Sequence, residues 1–272
     1  MRIPTEAYQG YEHIISRICL IVEDMQKATG IQPETLGIGT PGTLDPDLNA
    51  IKNSNTTSLN GKPFKDDLEK ALGIPIKIAN DANCFALAET RLGVVAEKLP
   101  GAEVVFGVIL GTGVGGGVVV HGKLISGRHG IGGEWGHNFL DASGGDCYCG
   151  LSGCVETVLS GTGLQKYYYE QSGEPRKLKV VYQRYLECID PYATATIERL
   201  LVYFGKAIAN VINIIDPDAI VLGGGVGNID LLYTKGVQEA TKYVFNPKLN
   251  TAFFKPKLGD SAGVFGAAML VA

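Results

Sequence analysis

Between Glu134 and Glu156 the chain reads EWGHNFLDASGGDCYCGLSGCVE, which sets His137, Cys147, Cys149 and Cys154 in one glycine-rich stretch bounded by two carboxylates. Zinc takes thiolate and imidazole ligands four at a time in structural sites, so these four residues can close its shell without distant help. Cys-x-Cys is tighter than the Cys-x2-Cys of a zinc finger, and only one histidine is at hand. A metal here braces a loop rather than building a nucleic-acid reader. Two other readings stay open. The residues can be small buried or free thiols, although burial is hard to arrange in such a loop. They can also form a disulfide, against which Cys147 and Cys149 stand too close to pair comfortably and no secretory signal is visible. Cys19, Cys84 and Cys188 sit in apolar surroundings and read as packing residues.

The rest of the chain must supply a core for this loop. At 272 residues it is long enough for one large or two medium domains. A hydrophobic content of 45% with 37 glycines fits an α/β protein rich in tight turns. The net charge of −4 gives no electrostatic reason to bind nucleic acid or an anionic membrane. No apolar run reaches transmembrane length, and a reduced cytoplasmic setting is the expectation.

Tyr11, Ile14, Ile15, Ile18, Cys19, Val22 and Met25 recur at three and four residues, which predicts an amphipathic helix over residues 6–28. TLGIGT from Thr35 reads as a buried strand ending in a Pro41-Gly42 turn. Pro63 opens a short helix that Gly73 closes, IPIKI forms the next strand, and Asn80-Asp81 starts a helix to Arg91. Residues 104–125 read as a hairpin whose bend is GTGVGGG. Residues 197–215 are apolar nearly all round, as in a helix buried between layers. AIVLGGGV is a strand followed at once by glycines. A helix over 231–244, a weak strand at TAFF and an Ala-rich helix over 262–272 complete the reading.

The glycine loops after Leu110 and Leu222 suit contact with phosphate or nucleotide, because glycine lets backbone N–H groups approach an anion. Each can equally be a plain bend. Neither a GxxxxGK[ST] motif nor a GxGxxG after a first strand is present, which excludes P-loop and dinucleotide readings.

The order GIGTPGTLD, IANDANCFALAE, GVILGTGVGGG, GEWGH, CYCGLSGCVE and IVLGGG resembles the ROK family of bacterial sugar kinases and sugar-responsive repressors. The likeness runs from Arg2 to Ala272. It implies an α/β chain with the actin-like ATPase (ribonuclease H-like) fold, two domains around a cleft: 1–104, completed by the helix 261–272, and 105–260 with the zinc loop. Asp81 matches the family's catalytic base, where a carboxylate takes the proton of a sugar hydroxyl attacking the γ-phosphate. It can also simply cap the helix that follows. Asn80, Asp81, Glu134, His137 and Glu156 match the sugar ligands, with His137 using one ring nitrogen for zinc. Gly111, Thr112 and Gly113 match the phosphate loop, and Gly224 and Gly225 the adenosine turn. ATP, magnesium and structural zinc are the implied cofactors, a hexose the acceptor, and a homodimer the assembly.

NSNTTSLNGKPF, from Asn53 to Phe64, looks most like fructokinase or mannokinase members, so fructose is the expected hexose, with N-acetylglucosamine or glucose as alternatives. The family's opening strands and DxGGTK loop have no match before RIPTE, a shortfall of about thirty residues, the size of three short strands. A non-catalytic sugar-binding protein is the alternative from another class, although no helix-turn-helix precedes the sugar domain. The genomic sequence upstream of Met1 discriminates them. A third reading makes the cysteine loop a contact module, in which case zinc removal spares sugar binding.

Overall fold

A computed structural model describes residues 1–272. Its first half is built around helix α1 (Tyr11–Thr29), strands β1 (Leu36–Thr40), β2 (Thr43–Asp45) and β3 (Ala50–Lys52), helix α2 (Phe64–Leu72) and strand β4 (Ile76–Asn80). The first helix begins with its apolar period at Tyr11 rather than at residue 6, because Gly10 at φ 95° breaks the backbone after a 3-10 turn over Ala7–Gln9. Gly30, left-handed at φ 72°, ends it by donating its N–H to the Gln26 carbonyl. β1 and β4 pair in parallel with Thr40 opposite Asn80, and β2 and β3 form a hairpin. Tyr11, Ile14, Ile51, Leu59, Phe64, Leu68 and Ile76 make the core of this half.

Helix α3 (Asp81–Arg91) leads through α4 (Val94–Lys98) into β5 (Val104–Leu110), β6 (Val114–Val120) and β7 (Lys123–Leu124). After the cysteine loop come α5 (Val155–Leu159), α6 (Gly161–Ser172), α7 (Leu178–Leu186) and the long α8 (Pro191–Ile215). Then follow β8 (Ala219–Gly223), α9 (Gly224–Gly227), α10 (Lys235–Thr241), β9 (Ala252–Phe254) and α11 (Ala262–Met269). No helix is long and apolar enough to cross a membrane.

Five strands form one sheet in the order β7-β6-β5-β8-β9, antiparallel across β7-β6-β5 and parallel across β5-β8-β9. This is the ribonuclease H-like arrangement of the actin-like ATPases. Alternation along the strands divides the core in two. Phe106, Val108, Leu110, Ile220 and Leu222 face α8, whose Ile197, Leu200, Phe204 and Ile208 are buried against them. Val105, Val119, Ala219 and Val221 face α3 and α4 on the other side. Each fully buried aliphatic or aromatic side chain contributes about 1.5–3 kcal/mol, so both faces must be covered.

The predicted GTGVGGG bend is shorter than expected. Only Gly111, Thr112 and Gly113 turn, while Gly115, Gly116 and Gly117 lie inside β6. A Cβ on Gly115 would come 2.9 Å from Ala82 Cβ, and one on Gly117 2.9 Å from the Ala82 carbonyl oxygen. These glycines let α3 press onto the sheet. On the other side of α3 the C-terminal helix α11 packs against Cys84 and β1, where a side chain at Gly37 or Gly266 would collide with backbone. The helix expected over 231–244 is confined to α10, preceded by a 3-10 turn at Asp230–Tyr233. Cys84 is buried and Cys19 half-buried, but Cys188 is exposed at φ 55° and is no packing residue.

Candidate active site

A cleft of about 180 Å³ opens where the ends of β1 and β4 meet the β5–β6 turn. It brings together all five residues read as sugar ligands: Asn80, Asp81, Glu134, His137 and Glu156. Asn80 ends β4 and caps α3, its Oδ1 accepting the Ala82 N–H at 2.8 Å while its Nδ2 donates to the Gly42 carbonyl at 3.3 Å. Asp81 opens α3, and its Oδ1 accepts the same Ala82 N–H at 2.8 Å. Capping and a role in the cleft are therefore compatible. Water reaches the Asp81 side chain from the cleft mouth, yet protein atoms crowd the carboxyl on the other sides. That crowding pushes its pKa above the usual carboxylate range, against the pull of the Ala82 hydrogen bond.

Glu134 precedes and His137 ends a 3-10 turn, Trp135–His137, anchored by Trp135. The indole is buried edge-on against Phe106, with ring centroids 5.9 Å apart, and donates to the Ala207 carbonyl at 3.2 Å. Burial raises the Glu134 pKa; His137 lowers it, and the charges of Asp81 and Glu156 add to the rise. Glu156 lies in the first turn of α5, two residues after Cys154, and its Oε2 accepts the Val114 N–H at 2.8 Å. A side chain at Gly113 would collide with that carboxylate. Glu156 thus ties the cysteine loop to the glycine turn.

The ligand atoms of His137, Cys147, Cys149 and Cys154 lie within 4.8 Å of one another. Zn–S bonds of about 2.3 Å and Zn–N bonds of about 2.0 Å place tetrahedral ligands roughly 3.5–3.8 Å apart. Cys149 Sγ is 3.7 Å from Cys154 Sγ, and Cys147 Sγ is 3.6 Å from His137 Nδ1, so the four residues fit a tetrahedral ion. All six cysteines are free, and 3.7 Å is far beyond a disulfide bond of about 2.05 Å, which removes the disulfide reading. Burial pushes the Cys154 thiol up to about 12, with its neighbouring thiols adding to the rise. A divalent cation is the ordinary way to hold such a cluster as thiolates.

A second, larger cleft of about 720 Å³ adjoins the first and shares Gly111 and Thr112 with it. Gly225, read in the sequence as part of an adenosine turn, lines it. Gly224 stands behind, left-handed at φ 80° and pressed on the Leu110 carbonyl, so it shapes the turn rather than the surface. Thr162, Gln165, Lys179, Tyr182 and Asn228 also line this cleft and were not foreseen. One signal for them exists in the sequence. Ser160-Gly161-Thr162-Gly163 is a small polar helix start, and Ser160 caps α6 by accepting the Gly163 N–H at 3.0 Å. The start of α6 is bound to the shared turn by Gly161 N–H to the Gly111 carbonyl at 2.7 Å and Thr162 Oγ1 to the Thr112 carbonyl at 2.6 Å. Asn53, Asn55 and Tyr148 join the first cleft and were likewise not singled out.

Comparison with known proteins follows the same outline. The model described as "ROK family" matches residues 1–272. An N-acetyl-D-glucosamine kinase of Vibrio parahaemolyticus is 35% identical over 279 aligned residues, covering 99% of this chain and 90% of that protein. The crystal structure of a ROK hexokinase from Thermus thermophilus superposes with a TM-score of 0.85 at 31% identity, over 99% of this chain and 88% of that one. A ROK family glucokinase from Streptomyces griseus, solved with glucose and AMPPNP, gives 0.78 at 28% identity, over 96% and 88%.

Proposed function

The chain belongs to the ROK family, and from that premise we propose that it transfers the γ-phosphoryl group of ATP to a hexose, N-acetylglucosamine ahead of the others. One observation carries the reading. Asp81 shares a cleft with Glu134, His137 and Glu156, and that cleft opens through the Gly111–Thr112 turn onto a second cleft of nucleotide size. The expected fructose preference finds no support in the relatives, whose names favour the alternative of N-acetylglucosamine or glucose.

In this reading Asn80, Glu134, His137 and Glu156 hold sugar hydroxyls, and Asp81 accepts the proton of the hydroxyl that attacks phosphorus. The acceptor oxygen gains its bond to phosphorus as the bond to the ADP oxygen breaks. The Gly111 N–H closes the turn onto the Gly113 carbonyl at 2.9 Å, which leaves the backbone N–H groups of Thr112 and Gly113, with the start of α6 behind them, to meet the phosphates. Gly224 and Gly225 shape the adenosine side. Magnesium bound with the nucleotide would offset phosphate charge. His137, Cys147, Cys149 and Cys154 would hold zinc, which would brace the loop and fix the His137 ring, a positional contribution. The ionised form of Asp81 is the base, and its raised pKa places the acid limb of kcat/KM above the ordinary aspartate range. A cytoplasmic homodimer belongs to the same reading, and light scattering coupled to gel filtration checks the assembly.

ADP release, measured by a coupled assay across N-acetylglucosamine, glucose, mannose and fructose, tests it. The highest kcat/KM is expected with N-acetylglucosamine. A maximum with fructose would restore the first acceptor reading. Sugar binding without turnover would make the chain a binding-only member, and no binding of any hexose would refute the assignment of the cleft.

A further inference from the structure

Tyr148 has no role in the scheme above, yet it touches the only histidine in the acceptor cleft. Its hydroxyl lies 3.1 Å from His137 Nε2, and the two rings meet edge to face with centroids 5.2 Å apart and planes at 89°. The other ring nitrogen, Nδ1, faces Cys147 Sγ at 3.6 Å. Both nitrogens of His137 are therefore engaged before any sugar arrives. An imidazole nitrogen offers one proton or one lone pair, whichever tautomer is present, so it serves one partner at full strength. A sugar hydroxyl that needs Nε2 must compete with the Tyr148 phenol.

Tyr148 is placed to yield. Its neighbours Cys147 and Cys149 belong to the four-residue cluster, and the loop closes on itself through Cys147 N–H to the Leu151 carbonyl at 2.8 Å and Gly150 N–H to the Cys147 carbonyl at 3.1 Å. The backbone is thus held, while the side chain is 65% exposed and its hydroxyl has His137 as its single hydrogen-bond partner in the protein. Beside it opens a separate depression of about 220 Å³, lined by Asp146, Thr157, Ser160 and Lys166, which Tyr148 borders as it borders the acceptor cleft. Rotation about its side-chain bonds can carry the ring from one to the other with no change in the loop.

We propose that Tyr148 sets the sugar affinity of the acceptor site by occupying His137 Nε2 in the free protein. The incoming hydroxyl displaces it, and the ring moves towards the Thr157–Lys166 depression. The inference rests on the sugar-binding reading of the cleft. Breaking the His137–Tyr148 contact is subtracted from the binding of every hexose that uses His137, because the phenol competes with all of them alike. A net hydrogen bond of this kind corresponds to a factor of about two to ten in an equilibrium constant.

Calorimetric titration of the full chain as purified, with N-acetylglucosamine and with glucose, tests this by comparing wild type with Tyr148→Phe. The substitution keeps the ring and its edge-to-face contact and removes only the competing hydroxyl. The expected result is a Kd lowered about two- to tenfold for both sugars. A loss of packing can only weaken binding, so tightening separates competition from a structural effect. An unchanged Kd overturns the proposal, and a raised Kd overturns it by making the phenol a sugar ligand. If wild type binds neither sugar, the reading of the cleft fails and the proposal falls with it. If wild type binds and the variant binds no tighter, the proposal alone fails.

Discussion

The two clefts that meet at Gly111 and Thr112 are built from different materials. The smaller is lined by three carboxylates and a histidine, and the larger by glycines, hydroxyls, two amides and one lysine. In the first, burial raises both Asp81 and Glu134 above the usual carboxylate range, and for Glu134 the charges of Asp81 and Glu156 add to the rise. In the second, the backbone of Gly111, Gly161 and Gly225 is bared beside the hydroxyls of Thr112 and Thr162. The difference teaches that an acceptor site needs fixed side-chain chemistry, whereas a phosphate-bearing ligand can be held largely by main chain. It also gives each half its own points of failure.

The largest expected effect lies on the acceptor side. Asp81→Asn should bind sugar and nucleotide but lose turnover by about 10²–10⁴-fold, as measured by ADP release. Unchanged turnover would remove the base from that side. On the donor side, Gly224→Ala must place a Cβ against the Leu110 carbonyl at φ 80°, so the turn has to shift. Titration with a non-hydrolysable ATP analogue should show affinity reduced about tenfold or more, with sugar affinity intact. Equal loss of both would mean that the two halves are one mechanical unit.

A smaller effect concerns pH. Asp81 must be ionised to act, and its folded-state pKa is raised, so log kcat/KM should climb with pH through a region above that of a free aspartate. The same shift bears on stability with the opposite sign. A carboxyl whose folded pKa exceeds its unfolded value favours folding while protonated, and that advantage is lost as pH rises through the folded pKa. At neutral pH the ionised Asp81 is therefore a burden on the fold. Asp81→Asn should raise Tm slightly at pH 7, an advantage that shrinks as the pH is lowered towards the ordinary carboxylate range. A lowered Tm at neutral pH would indicate that capping of α3 by Asp81 outweighs its crowding.

How much of this was legible beforehand follows the same division. Asn80-Asp81, Glu134 to His137 and Cys147 to Glu156 lie in short contiguous motifs, because charged ligands and metal ligands need particular residue types at close spacing. Thr162, Gln165, Lys179 and Tyr182 come from two helices whose apolar stripes are thin. α6 buries only Gly161, Leu164 and Tyr168, and α7 only Val181, so periodicity is a weak guide there. The glycines of β6 show a different limit. Gly115, Gly116 and Gly117 look like a bend in sequence, and only their closeness to Ala82, Asn83 and Phe106 reveals that they serve packing. Fructose was inferred from the Asn53–Phe64 stretch, yet in the fold much of it closes on itself. Asn60 clamps Ser54 through Oδ1 to its N–H at 2.8 Å and Nδ2 to its carbonyl at 2.9 Å, leaving Asn53 and Asn55 to reach the cleft.

That the cysteine loop acts on the acceptor cleft through the ring of His137 is tested most directly by paired titrations of metal-depleted and zinc-restored protein. One titrates N-acetylglucosamine, the other a non-hydrolysable ATP analogue. With the metal removed, sugar affinity should fall about 10- to 100-fold, since His137 loses the partner that orients its ring, while nucleotide affinity stays unchanged. Unaltered sugar affinity, or equal loss of both ligands, would contradict it.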